Sequence, residues 1–124
     1  LSSLVFDLPF IVKDKSNINE QSKIALRFNY FNSVSELYKV NEDMLNLSFR
    51  VLKRGGILVV KTMDVCAVGG QVWVSDYVYN KAFELGFELL DKFILVSPSR
   101  YVFMKGIQRH ARKYHSYFLV FKKK

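Results

Sequence analysis

The strongest constraint on this chain is its alternation of short apolar runs with longer amphipathic segments. Runs at residues 4–6, 57–60, 93–96 and 117–121 are each rich in β-branched or aromatic side chains and predict four strands. Between the first two, Leu37, Val40, Met44, Leu47 and Val51 recur at spacings of three and four, which predicts an amphipathic helix. Ser33 and Glu36 have the spacing of a capping box, and Gly55-Gly56 supplies a stop before the next strand. A second helix is expected from about Asp76, capped by Ser75 or Asp76, with Val78, Ala82 and Leu85 on one face and Gly86 as terminator. Strands separated by helices imply a mostly parallel sheet with helices on both faces. The last strand follows a basic stretch with no helical stripe, so it is expected as an antiparallel strand added at an edge. Residues 11–32 give no clear periodicity and read as an active-site loop, with Arg27 and Phe28 either near a substrate or pinned to the core.

At 124 residues, half of them apolar, the chain can build one hydrophobic core, so a single domain or part of one is expected. It opens on Leu1 almost directly into the first strand, which reads as the start of a piece of a longer domain. No run reaches the roughly 18 apolar residues of a membrane span and no leader pattern is visible, so a soluble intracellular protein, cytoplasmic or nuclear, is expected. The single Cys66 excludes an internal disulfide and any Cys-x-x-Cys metal or redox site. The net charge of +8 is one-sided: residues 1–91 hold 10 Lys/Arg against 11 Asp/Glu, and residues 92–124 hold 9 Lys/Arg and no acid. A basic segment interleaved with Tyr101, Phe103, Tyr114 and Tyr117 suits a polyanion, with nucleic acid, RNA or DNA, the leading partner; a solubilising surface is the plainer alternative.

In an open α/β sheet, ligands gather outside the carboxyl ends of the strands. Two clusters fall there. Asp7-Leu8-Pro9-Phe10 follows the first strand and Lys61-Thr62-Met63-Asp64 follows the core of the second, so Asp7 and Asp64 are expected to flank one crevice. A carboxylate, a proline-fixed turn and an aromatic ring can accept hydrogen bonds from an amine while stacking on a planar base. Ordinary turn chemistry accounts for the same four residues taken alone.

These residues do not stand alone. The order of elements, the "RVLKRGG" helix end leading into "ILVVK", and "DLPF" after the preceding strand resemble the second half of class I S-adenosylmethionine-dependent methyltransferases. More narrowly they resemble the branch related to N6-adenine methyltransferases, whose signature is Asp, Asn or Ser followed by Pro-Pro and an aromatic residue. The resemblance covers nearly the whole chain. It implies a Rossmann-like methyltransferase sheet, S-adenosyl-L-methionine as cofactor, and methyl transfer to an exocyclic amine of nucleic acid. Within it, Asp7 would orient the amine and touch the cofactor, Leu8 would contribute its carbonyl, Pro9 would hold the turn and Phe10 would stack on the base. Leu8 departs from the family, which has its first proline there. Lys61, Asp64, Arg109, Arg112 and Lys113 would contact the substrate, the last three through phosphates.

The resemblance also implies an absence. The family's first half carries a glycine-rich loop running from strand into helix and an acid after the second strand, and neither is present here; Gly55-Gly56 runs from helix to strand, and Gly69-Gly70 does not substitute. Residues 1–124 are thus expected to form a partial domain, inactive in isolation and able to associate through an exposed sheet edge. A non-catalytic nucleic-acid-binding or interaction module of the same fold is the alternative, and a methyltransferase acting on small molecules or protein is a third. His110 and His115 lack zinc spacing, so no metal is expected. Trp73 reads as a docking anchor for the second helix ahead of a pocket-lining residue.

Overall fold

The structure is a computed structural model and describes residues 1–8, 11–12, 30–31, 33–67, 70–96 and 115–124. Its elements are β1 (Ser3–Asp7), β2 (Ile11–Val12), β3 (Tyr30–Phe31), α1 (Val34–Val51), β4 (Ile57–Thr62), β5 (Val65–Ala67), β6 (Gly70–Val72), α2 (Val74–Leu85), β7 (Phe87–Val96) and β8 (His115–Lys123). Strands β1, β4, β8 and β7 form one sheet in that order, with β1 and β4 parallel and β8 antiparallel to both of its neighbours. The final strand is antiparallel, as expected, but it is not at an edge. It inserts between β4 and β7, where its apolar residues are enclosed on both sides, and it leaves β1 and β7 as the two edges. Two short ladders escaped the sequence reading: β2 with β3, inside the segment read as a loop, and the β5–β6 hairpin. Each strand in them is two or three residues long, too short for period-two alternation to register.

Helix α1 begins where the sequence places it. Ser33 is extended and its hydroxyl accepts from the Glu36 N–H at 3.1 Å. The buried stripe is rotated from the expected one, however, because it includes two polar residues. Leu37, Asn41, Met44, Leu45 and Ser48 face the core, whereas Leu47 and Val51 are substantially exposed. Asn41 and Ser48 tolerate burial because each donates to the carbonyl four residues earlier, Leu37 O at 2.8 Å and Met44 O at 2.7 Å. At the other end of α1 the Lys123 ammonium donates to the Phe49 and Leu52 carbonyls and lies over the Phe49 ring, a cation set at the negative end of the helix.

Helix α2 starts at Val74, slightly earlier than expected, and closes on Gly86. Gly86 has φ 111°, in the left-handed region, and a Cβ there would approach the Phe49 ring at 3.2 Å. The N-terminal cap is neither Ser75 nor Asp76 but the carboxylate of Asp64, brought back from the end of β4. Trp73 is half exposed at the start of α2 and is not buried beneath it as an anchor.

Both described helices pack on each other, Tyr38 stacking on Tyr77 at 4.1 Å, and both close over the same face of the sheet. That face presents Leu58, Val60, Phe87, Leu119 and Phe121, all at most 2% exposed, with Leu4 and Phe6 packed beside them. Phe87 meets Phe49 edge-on and lies 6.0 Å from the Phe121 ring. Strict alternation sends the intervening residues to the opposite face, where Val5, Phe93 and Leu95 are exposed and Val59 and Val120 are half buried. No described helix is long and apolar enough to cross a membrane.

Candidate functional site

The carboxyl ends of β1 and β4 are adjacent because the strands are parallel neighbours in register. Asp7, the last residue of β1, stands opposite Lys61 on β4, and the Lys61 ammonium lies 3.6 Å from an Asp7 carboxylate oxygen. Both side chains are well exposed, 65% for Asp7 and 37% for Lys61, so the pair stabilises the fold by no more than about 1 kcal/mol. Its position is the more informative property: an accessible acceptor and a cation at the mouth of the central parallel pair. Leu8 explains itself through packing. Its half-buried side chain lies against the hydrophobic core, which anchors the exit from β1 without a proline ring. Pro9, Phe10, Arg109, Arg112 and Lys113 lie outside the described residues, as do His110, Arg27 and Phe28.

Asp64 does not flank the same crevice as an open acceptor. It is 5% exposed, and one of its oxygens accepts from the Ser75 N–H at 3.0 Å and the Ser75 hydroxyl at 2.8 Å. A buried carboxylate is tolerated there because it meets the unpaired N–H groups and positive end of α2. The sequence shows an acid two residues past a strand core; only the fold brings it against a helix 11 residues later.

Beside Asp64 the structure assembles a polar cluster on the helix-covered side that the sequence reading missed. Tyr117 stands in register with Thr62, its hydroxyl 2.9 Å from His115 Nε2 and its ring 4.3 Å from the Lys92 ammonium. Burial first, then the nearby Asp64 and Asp76 carboxylates, hold the Tyr117 phenol above its usual range, so it stays protonated. The Thr62 hydroxyl is buried and has no hydrogen-bond partner. The signal in the sequence was the i, i+2 spacing of His115 and Tyr117 within a strand pattern, which puts both on one face. Strands β7 and β8 end and begin at this same end of the sheet, so the basic segment between them is tethered beside the crevice.

Among the described residues, no glycine-rich turn leads from a strand into a helix, and no group of three or more His, Cys, Asp or Glu is placed to hold a metal ion.

No family model matches the chain, and no curated protein sequence matches it. Crystal structures of a candidate DNA modification methylase from Thermus thermophilus are similar to it. The form complexed with S-adenosyl-L-methionine is 18% identical with a TM-score of 0.56, over 75% of this chain and 42% of that one. The selenomethionine derivative is 27% identical with a TM-score of 0.48 over 72% and 35%, and a third structure of the same protein is 23% identical with a TM-score of 0.49 over 73% and 35%. The chain has the mixed α/β fold of that methylase and spans less than half of its length.

Proposed function

We propose that this chain is part of an S-adenosyl-L-methionine-dependent methyltransferase that acts on an exocyclic amine of nucleic acid, with N6 of adenine as the target its motif suits best. The observation that carries the reading is Asp7, an exposed carboxylate at the carboxyl end of the central parallel pair, held beside Lys61. An amine approaching that position finds an anionic acceptor for its hydrogens. The acceptor orients the nitrogen lone pair and stabilises the positive charge that grows on nitrogen as a methyl group arrives. Lys61 stands where it can hold Asp7 in place. The ring of Phe10, three residues on in the chain, would stack on the base. A target inside a duplex must first leave the base stack, and the basic segment between β7 and β8 would hold the backbone while it does.

The fold shared with a methylase crystallised with S-adenosyl-L-methionine supports that molecule as methyl donor. The described residues do not supply the glycine turn that would seat it, so the donor's seat on this reading involves residues other than these, and the 124-residue chain alone should not transfer methyl groups.

The test is methyl transfer from S-adenosyl-L-methionine to RNA and DNA oligonucleotides by the full-length protein and its Asp7→Ala variant. Loss of transfer with retained nucleic-acid binding supports the assignment, and undiminished transfer rejects it. Titrating S-adenosyl-L-methionine into the 124-residue chain tests the second part, because tight binding there would place a complete cofactor seat within it.

A further inference from the structure

The open face of the sheet carries a transverse row that begins at Asp7 and continues beyond the site described above. Asp7 on β1, Lys61 on β4, Phe118 on β8 and Phe93 on β7 are successive partners in register, so all four side chains lie on one face. With strands about 4.8 Å apart, the row runs roughly 15 Å from the carboxylate to the last ring. Phe93 is 57% exposed although it sits well inside a ten-residue strand, and Phe118 beside it is half buried. The order is acceptor, cation, ring, ring.

We propose that this row is a track for single-stranded nucleic acid. A base beside the target stacks on the Phe93 and Phe118 platform, Lys61 faces a backbone phosphate, and Asp7 stands at the target end. The proposal rests on the nucleic-acid reading of the site and adds where the neighbouring nucleotide lies. Aromatic side chains on an exposed sheet suit unpaired bases, because every base has a π-face to offer and a duplex has none free.

Charge favours this occupant over an apolar one. The segment at residues 97–114 joins β7 to β8 at the Asp7 end and holds five Lys/Arg and no acid, whereas the acids of this face, Asp91 and Glu88, fall in rows farther from that end. A second copy adding strand to strand along β7 would meet a register shift between Leu89 and Asp91 and the charged pair Asp91-Lys92, features that oppose edge pairing.

The experiment is fluorescence anisotropy of labelled single-stranded and duplex oligonucleotides titrated with the 124-residue chain and its variants. Phe93→Ala and Phe93→Leu should both weaken single-strand binding, roughly 5- to 150-fold, the worth of one base stacked on a ring. Duplex binding should not change, and neither should single-strand binding by Phe83→Ala, which removes an equally exposed ring from α2. Wild-type single-strand affinity in Phe93→Leu would overturn the proposal, since the ring would then play no part. So would equal losses in the Phe93 and Phe83 variants, or a dimer in sedimentation that dissociates on Phe93→Ala, which would assign the face to a second copy. The titration needs no methyl donor. Failure of the methyltransferase reading, seen as undiminished transfer by Asp7→Ala, is therefore distinguishable from failure of the track.

Discussion

The two faces of the central sheet are made by the same four strands, and they behave as different materials. On the side under α1 and α2, Leu58, Val60, Phe87, Leu119 and Phe121 are sealed into one core. On the other side, one residue along each strand, Val5, Phe93 and Leu95 stand open and Asp7 and Lys61 form a loose pair. Burial, not strand identity, decides what a substitution does. The covered face should govern stability, and the open face should govern binding and chemistry with little effect on stability.

The most direct way to break that contrast is to truncate matched aromatics across it. Phe121→Ala should lower unfolding free energy by about 3–5 kcal/mol, the cost of removing a fully packed ring, while Phe93→Ala should change it by about 0.5 kcal/mol or less. Urea denaturation followed by circular dichroism measures both; comparable losses would mean that the open face is covered in solution. Next in size is Asp7→Ala, expected to reduce methyl transfer by the full-length protein on the order of 10²- to 10³-fold at nearly unchanged stability, as removal of one preorganised electrostatic partner does. A steady-state assay beside a melting curve separates the two readouts.

A smaller effect sharpens the distinction between the two carboxylates that the sequence places in similar positions. Asp64→Ala should cost about 1–2 kcal/mol because the Ser75 N–H and the start of α2 lose their cap, in contrast to the near-neutral stability of Asp7→Ala. If Asp64→Ala were neutral in denaturation, its assignment as a cap would be wrong.

The smallest effect lies in the alkaline range. Burial first, with Glu42 and other neighbours adding to it, raises Tyr77, and burial with Asp64 and Asp76 raises Tyr117, both from 10.0. A phenol whose folded value is raised binds its proton longer in the folded state than in the unfolded one. Stability is therefore undiminished below about pH 10 and falls as pH climbs from there through the raised values. Tyr77→Phe should flatten part of that fall, measured as the pH dependence of the denaturation midpoint between neutral and strongly alkaline solution.

Much of this architecture was legible before the structure. The run at residues 57–60 has enough β-branched character to be a strand in any context, and Ser33, Glu36 and Gly86 mark helix ends through local chemistry that needs no tertiary partner. Asp7 at the exit of β1 was legible for the same reason, because its placement follows from where a strand stops. Asn41 and Ser48 were not. Their burial depends on which face of α1 meets the sheet, and their own backbone hydrogen bonds make polar residues acceptable there. Asp64 was misread because a carboxylate after a strand looks the same whether it faces ligand or helix.

The sequence by itself determined the set of elements, the parallel start of the sheet and the acceptor at its carboxyl end, since these follow from periodicity and from turn and cap residues a few positions apart. Tertiary structure decided what depends on contacts between distant segments. It put β8 inside the sheet, gave Asp64 to α2 and gathered Thr62, His115 and Tyr117 at one end. It also aligned Asp7, Lys61, Phe118 and Phe93 in one row, because register between strands is set by the packing of a whole face and not by any one strand's own residues.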